Sequence, residues 1–168
     1  SNTAAPHLNR WPFVVDGVRV ETDGGESIDA TAAIVATPAY ATREIVEDLP
    51  AEMTAALDSI PYGPYVVGAF LTKETGIVPW DDLYALATPK RSFSMLFNTT
   101  NARRVGEATR AHGGSFMVYA AAGFARRLDG LTDDAVRNAF LADLHDVLPA
   151  TAGLVEEVVI KRWEHGLP

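Results

Sequence analysis

The sequence predicts an α+β fold, a mostly antiparallel or mixed sheet covered by helices and preceded by a β-meander and a buried strand. Three observations predict it. Short strand-like runs separated by tight-turn signals open the chain, and a second series of such runs, spaced by Pro, Gly and charged stretches, fills its middle. One well-signalled amphipathic helix lies near the end. At 168 residues the chain is long enough to bury on the order of 70% of the surface its unfolded form exposes. We divide it into residues 1–37, the meander and strand, and residues 38–168, the sheet and its helices.

The meander consists of Phe13-Val14-Val15, Val18 to Thr22, and Glu26 to Ile28. Asp16-Gly17 and Asp23-Gly24-Gly25 separate these runs and supply the positive φ angles that tight hairpins need. Ala32 to Ala36 is small, uncharged and partly β-branched, which suits a strand buried on both faces. Thr37 reads as a helix N-cap and Pro38 as the first helical residue, so the strand turns directly into a helix. Ligands collect at such carboxyl ends in open α/β sheets, although a packed junction without a ligand fits these residues equally well. Ala41, Ile45 and Leu49 mark one face of this helix. A second helix begins at Pro50 with Met53, Leu57 and Ile60 as its stripe, and Pro61-Tyr62-Gly63-Pro64 breaks the helical run.

The next strands are Tyr65 to Thr72, Leu83 to Ala87, Phe93 to Asn98 and Ser115 to Ala121, at the spacing of an antiparallel sheet. Leu131-Thr132-Asp133-Asp134 opens the best helix: Thr132 caps it, the aspartates sit at the positive end of its dipole, and Leu131 is placed to staple onto Val136. Val136, Phe140, Leu144, Val147 and Leu148 form its apolar face until Pro149 ends it. Val155 to Trp163 is a last strand. Its apolar residues, Val155, Val158, Ile160 and Trp163, are too irregular to assign to faces.

Composition excludes several classes of function. A net charge of −8 provides no basic surplus to release phosphate counterions, so no nucleic-acid partner is expected. No run is long and apolar enough for a membrane span, and with no signal-peptide pattern the cytoplasm is the default compartment. The lack of cysteine removes disulfides and thiol nucleophiles together. His7, His112, His145 and His165 are scattered without metal-ligand spacing, so they read as surface histidines and no metal is expected. Asp81-Asp82, Asp133-Asp134 and Glu156-Glu157 read as capping or solvated groups, because adjacent residues diverge on strands and helices alike. Asn98-Thr99-Thr100 fits a glycosylation sequon by chance. No catalytic residue can be named from these motifs. Tyr84, Phe97 and Tyr119 fall on three successive strands and, sharing a face, make an aromatic wall suited to an apolar or planar ligand. Ordinary core packing is the commoner reason for such aromatics.

The order of these elements resembles the flavin-containing amine oxidoreductases, the superfamily of monoamine oxidase and protoporphyrinogen oxidase. The resemblance rests on the meander followed by Ile34-Val35-Ala36-Thr37-Pro38, on Leu49-Pro50, and on Tyr62-Gly63-Pro64-Tyr65 leading into a strand. It continues through Phe124-Ala125-Arg126-Arg127-Leu128 with Leu131-Thr132-Asp133-Asp134 to Arg162-Trp163 with Leu167-Pro168, covering roughly residues 14 to 168. It implies that residues 1–37 join an FAD domain and that residues 38–168 are the substrate-binding domain of an FAD-linked oxidoreductase. Ala36, Thr37, Pro38 and Trp163 would then lie nearest the flavin, while Val67, Tyr84, Phe97 and Tyr119 would line the substrate cavity. The dinucleotide fingerprint, absent from these residues, would precede residue 1, and a second FAD-binding segment would follow Pro168. Those segments of its own chain would be its partners alongside a small-molecule substrate, and FAD would bind these 168 residues weakly or not at all. The start at Ser1-Asn2 and the stop just after a strand pattern point the same way, to an excised piece.

Two departures shape the expected chemistry. Thr31 stands where the family often has Asp, and Val67 stands where many amine oxidases hold a lysine near the flavin, with Lys73 further along. An aliphatic residue cannot orient water there, which favours dehydrogenation or desaturation of an apolar or cyclic substrate over amine oxidation. A stand-alone small-molecule binding module without redox chemistry is the alternative, and an assembly domain a third.

Overall fold

The protein is described by a computed structural model covering residues 7–9, 17–101 and 112–167. It forms two compact units, Ser1–Pro61 and Tyr62–Pro168.

In the first unit, β1 (His7–Asn9), β2 (Val18–Glu21) and β3 (Ser27–Ala30) form an antiparallel sheet in that order. The hairpin between β2 and β3 closes at Gly25, whose φ of +79° is the conformation that glycine alone adopts without steric cost. Its N–H donates to Thr22 O, and Thr22 N–H donates to Glu26 O, both at 2.9 Å. Arg19 and Asp29 face each other in register and pair through two hydrogen bonds of 2.7 and 2.9 Å. Hydrogen bonding to Arg19 holds the Asp29 carboxyl below its usual range, and the same bond raises the guanidinium. The expected strand at Phe13 to Val15 lies outside the described residues.

Ala32 to Ala36 departs from the sequence expectation. It forms no strand, and Ile34 is 96% exposed. A strand buried on both faces needs neighbours to take its N–H and C=O groups, and no described strand lies beside this segment. The helix that follows, α1 (Ala39–Ile45), starts one residue later than expected: Pro38 is its cap residue, and the Thr37 hydroxyl pairs with that of Thr42 at 2.8 Å. Its C-terminus also falls short of Leu49, because the chain turns at Asp48 with φ of +55°. In α2 (Ala51–Asp58), capped by Pro50, no residue is buried: of the expected stripe, Leu57 is half-buried while Met53 and Ile60 are exposed. Arg43 of α1 pairs with Asp58 of α2.

The second unit contains a five-stranded antiparallel sheet. It comprises β4 (Gly63–Thr72), β5 (Ala85–Ala87), β6 (Met95–Asn98), β7 (Gly114–Ala121) and β8 (Val155–Leu167), in the order β5-β6-β7-β4-β8. The short helix α3 (Gly123–Arg126) follows β7, and α4 (Asp133–Val147) follows it. One sheet face, carrying Val66, Phe70, Leu96, Phe116, Val118 and Ala120, packs with Val136, Phe140 and Leu144 of α4 in a single core. Gly68 makes room for α4: a Cβ there would lie 2.7 Å from Phe140 Cδ2 and 2.9 Å from Val118 Cγ2.

Local signals fix α4. Thr132 Oγ1 accepts the N–H of Ala135 at 3.2 Å, and Asp133 and Asp134 occupy the first turn. Both carboxylates are ion-paired, Asp133 with Arg162 at 2.8 Å and Asp134 with Arg137, as suits groups that cap and charge the helix start. Leu131 stays exposed while Val136 is fully buried. The entry to the helix is held instead by Arg162, which donates to Leu131 O at 2.8 Å. Thr132→Ala should therefore destabilise the protein by about 1 kcal/mol in a denaturant melt, the usual cost of a lost cap. A change within measurement error would place the helix start elsewhere.

Candidate functional site

The face of the sheet turned away from α4 is set by register. Because side chains alternate along a strand, Tyr65, Val67, Ala69 and Leu71 of β4 leave on the side opposite the core residues Val66 and Phe70. Cross-strand pairing brings Tyr119 opposite Val67 and Met95, Met117 opposite Ala69 and Phe97, and Phe97 opposite Ala85. On the other side of β4, Trp163 pairs with Tyr65, Lys161 with Val67, and Val159 with Ala69.

The aromatic rings on this face form a row that crosses the sheet. Tyr84, just before β5, packs edge-on to Phe97 with centroids 5.9 Å apart, and Phe97 packs against Tyr119 at 5.2 Å. Tyr119 stands 5.6 Å from Tyr65, which in turn meets Trp163 at 6.5 Å. These separations are those of favourable edge-to-face and tilted pairs. The outer members stay accessible, Tyr84 at 72% and Trp163 at 43% exposure, whereas Val67 at 6% is the floor beneath its neighbours.

Two details hold the row in place. Gly166 of β8 lies directly against Tyr65, so closely that a Cβ there would overlap the Tyr65 Cβ; the missing side chain lets Tyr65 stand up from the sheet. Tyr119 Oη lies 3.7 Å from Met117 Sδ, a contact along the same strand face. Burial raises the Tyr65 phenol above its ordinary value and the neighbouring Tyr119 adds to the effect, so at neutral pH Tyr65 offers a hydroxyl donor rather than an anion.

The structure thus joins Val67, Tyr84, Phe97, Tyr119 and Trp163 on or at the edge of one sheet face. Ala36, Thr37 and Pro38 belong to the first unit, at the start of α1. Sequence reasoning missed Tyr65 and Lys161. Tyr65 was recoverable, since it lies two residues before Val67 on the same strand. Lys161 was not, because its face depends on the pairing of β4 with β8.

Other groups are structural. Asn98, the sequon residue, is buried and spends its amide on Trp80 O at 2.9 Å and Asn101 Oδ1 at 3.0 Å, so it cannot accept a glycan. His145, expected at the surface, is half-buried in α4; His112 and His165 are exposed. Among the described residues no group of three or more His, Cys, Asp or Glu could hold a metal ion, and no helix is long and apolar enough to cross a membrane.

The model of the flavin-containing amine oxidoreductases matches residues 13–166, nearly the whole chain. The chain belongs to that family. Solved structures support the same fold. A candidate protoporphyrinogen oxidase from Exiguobacterium sp. 255-15 superposes with a TM-score of 0.69 at 14% identity, over 96% of this chain and 34% of that one. A triple mutant of putrescine oxidase gives 0.71 at 15% identity, over 97% of this chain and 36% of that one. Reduced UDP-galactopyranose mutase gives 0.66 at 13% identity, over 89% and 32%. This member of the amine oxidoreductase family therefore spans about a third of the length of the structures it matches. No curated protein matches the sequence.

Proposed function

We propose that these residues are the substrate-binding portion of an FAD-dependent oxidoreductase that oxidises an apolar or cyclic substrate. The observation that carries this reading is the aromatic row from Tyr84 to Trp163 on the sheet face opposite α4. When bound, FAD supplies a two-electron acceptor, and the protein contributes binding and orientation. The side chains suit the ring half of that cofactor better than its diphosphate. Trp163 offers an exposed indole for a planar ring, and the likeness of Ala36-Thr37-Pro38 to the family's motif supports a flavin-facing role for those residues. The diphosphate lacks a cradle here, since α1 is only seven residues long, begins at a proline without an N–H, and follows no glycine-rich turn. Segments outside residues 1–168 complete that site in this reading, in keeping with the third of its structural relatives that the chain spans.

Within the substrate-binding part, Tyr119 and Phe97 provide edges and faces for a planar compound, Tyr84 borders it, and Val67 forms an apolar floor. Val67 offers neither donor nor charge, so it cannot hold water beside the reacting carbon as a lysine would. Dehydrogenation of an apolar or cyclic substrate follows more naturally than oxidation of a small amine.

Absorbance and fluorescence titration with FAD tests the division of labour. The 168-residue chain should stay colourless and bind FAD weakly, while the protein expressed with its flanking reading frame should carry FAD tightly. Stoichiometric, tight binding by the 168 residues alone, or no FAD in the longer protein, would overturn the reading.

A further inference from the structure

We infer that Lys161 makes the aromatic face selective for planar compounds bearing an acidic group, carboxylic acids with at least two fused rings. This rests on the reading of that face as the substrate surface and names the substrate class it takes. Lys161 leaves β8 on the same side as Trp163 and directly across from Val67, at the β8 edge of the aromatic face. Its side chain is exposed, with Nζ 5.8 Å from the centroid of the Trp163 ring. The ammonium thereby stands beside the row, within cation–π reach of the indole.

The charge environment singles this residue out. Among the described residues on the strands of this face, Lys161 is the one cation, and no described carboxylate comes within ion-pair distance of it. The arginines Arg19, Arg43, Arg91, Arg137 and Arg162 are each tied to an aspartate. The acid on the same face, Glu157, lies four residues back along β8, roughly 13 Å away at the rise of a strand and beyond a Debye length at physiological salt. Among the described residues Lys161 thus presents a positive charge in no ion pair to whatever lies on the aromatic surface. A cationic amine is repelled there and a carboxylate attracted.

Geometry sets the size of the ligand. Tyr119 stands on β7 and Lys161 on β8, with β4 between them. Two strand spacings amount to about 10 Å. A single small ring cannot cover Tyr119 and still reach the ammonium, whereas a fused-ring acid does both.

The test is equilibrium dialysis of the intact protein against 2-naphthoate and the neutral 2-naphthamide, with flavin absorbance followed in parallel. Naphthoate should bind about tenfold more tightly, the worth of a charge-assisted hydrogen bond, and added salt should narrow the gap. Lys161→Gln should erase the preference while leaving the amide's affinity unchanged, and Lys161→Arg should keep it. Equal affinities in the unaltered protein, no binding of naphthoate, or a preference that survives Lys161→Gln would overturn the inference. Lys161-dependent binding without any perturbation of the flavin spectrum would instead sink the redox reading and leave this one standing.

Discussion

Replacing Phe140 by alanine should destabilise the protein by about 3–5 kcal/mol, the range for removing a buried aromatic ring from a packed core. Phe140 is fully buried in the centre of α4, its ring edge-on to Phe93 with centroids 5.7 Å apart and an interplanar angle of 84°. It also fills the space that Gly68 leaves open on β4. Truncation removes the transfer contribution of the ring, the aromatic pair, and the contacts on Gly68 and Val118, and the backbone of β4 cannot collapse to refill the space because it is hydrogen-bonded to strands on both sides. A domain of this size is stable by about 5–15 kcal/mol, so the variant loses a large fraction of that margin. Urea melts should show a lower midpoint with an unchanged slope. A loss under about 1 kcal/mol would mean that α4 does not close the core.

The same helix shows why some elements were legible in the sequence. Thr132, Asp133 and Asp134 act within one turn, so their signal needs no distant partner. The β2–β3 hairpin was legible for a similar reason, since Gly25 must adopt a positive φ wherever the strands pair. Ala32 to Ala36 failed because burial on both faces is a property of neighbours, and its composition could only say that it would tolerate them. The irregular pattern of β8 also has a physical cause. A bulge falls between Val155 and Glu157, so Val155 faces the core with Val158 and Ile160, while Trp163 points to the opposite side. That Tyr84, Phe97 and Tyr119 lie side by side was legible because strand order follows chain order from β5 to β7. Its extension through Tyr65 to Trp163 required knowing that β4 inserts between β7 and β8.

The second large effect concerns reaction type and follows from the floor and charge of the aromatic face. Val67 beneath Tyr119, with no donor, and Lys161 beside it, with a positive charge, both oppose a small cationic amine. On the proposed reading, planar or cyclic compounds gain from Phe97, Tyr119, Tyr65 and Trp163 instead. The decisive measurement is anaerobic flavin reduction in the longer FAD-bearing protein that the proposed function calls for, followed by absorbance with a panel of conjugated or cyclic compounds and a panel of simple primary amines. The account predicts that members of the first panel reduce the flavin at least about a hundredfold faster than any simple amine, a difference of roughly 3 kcal/mol in transition-state stabilisation. Fast reduction by simple primary amines would contradict it.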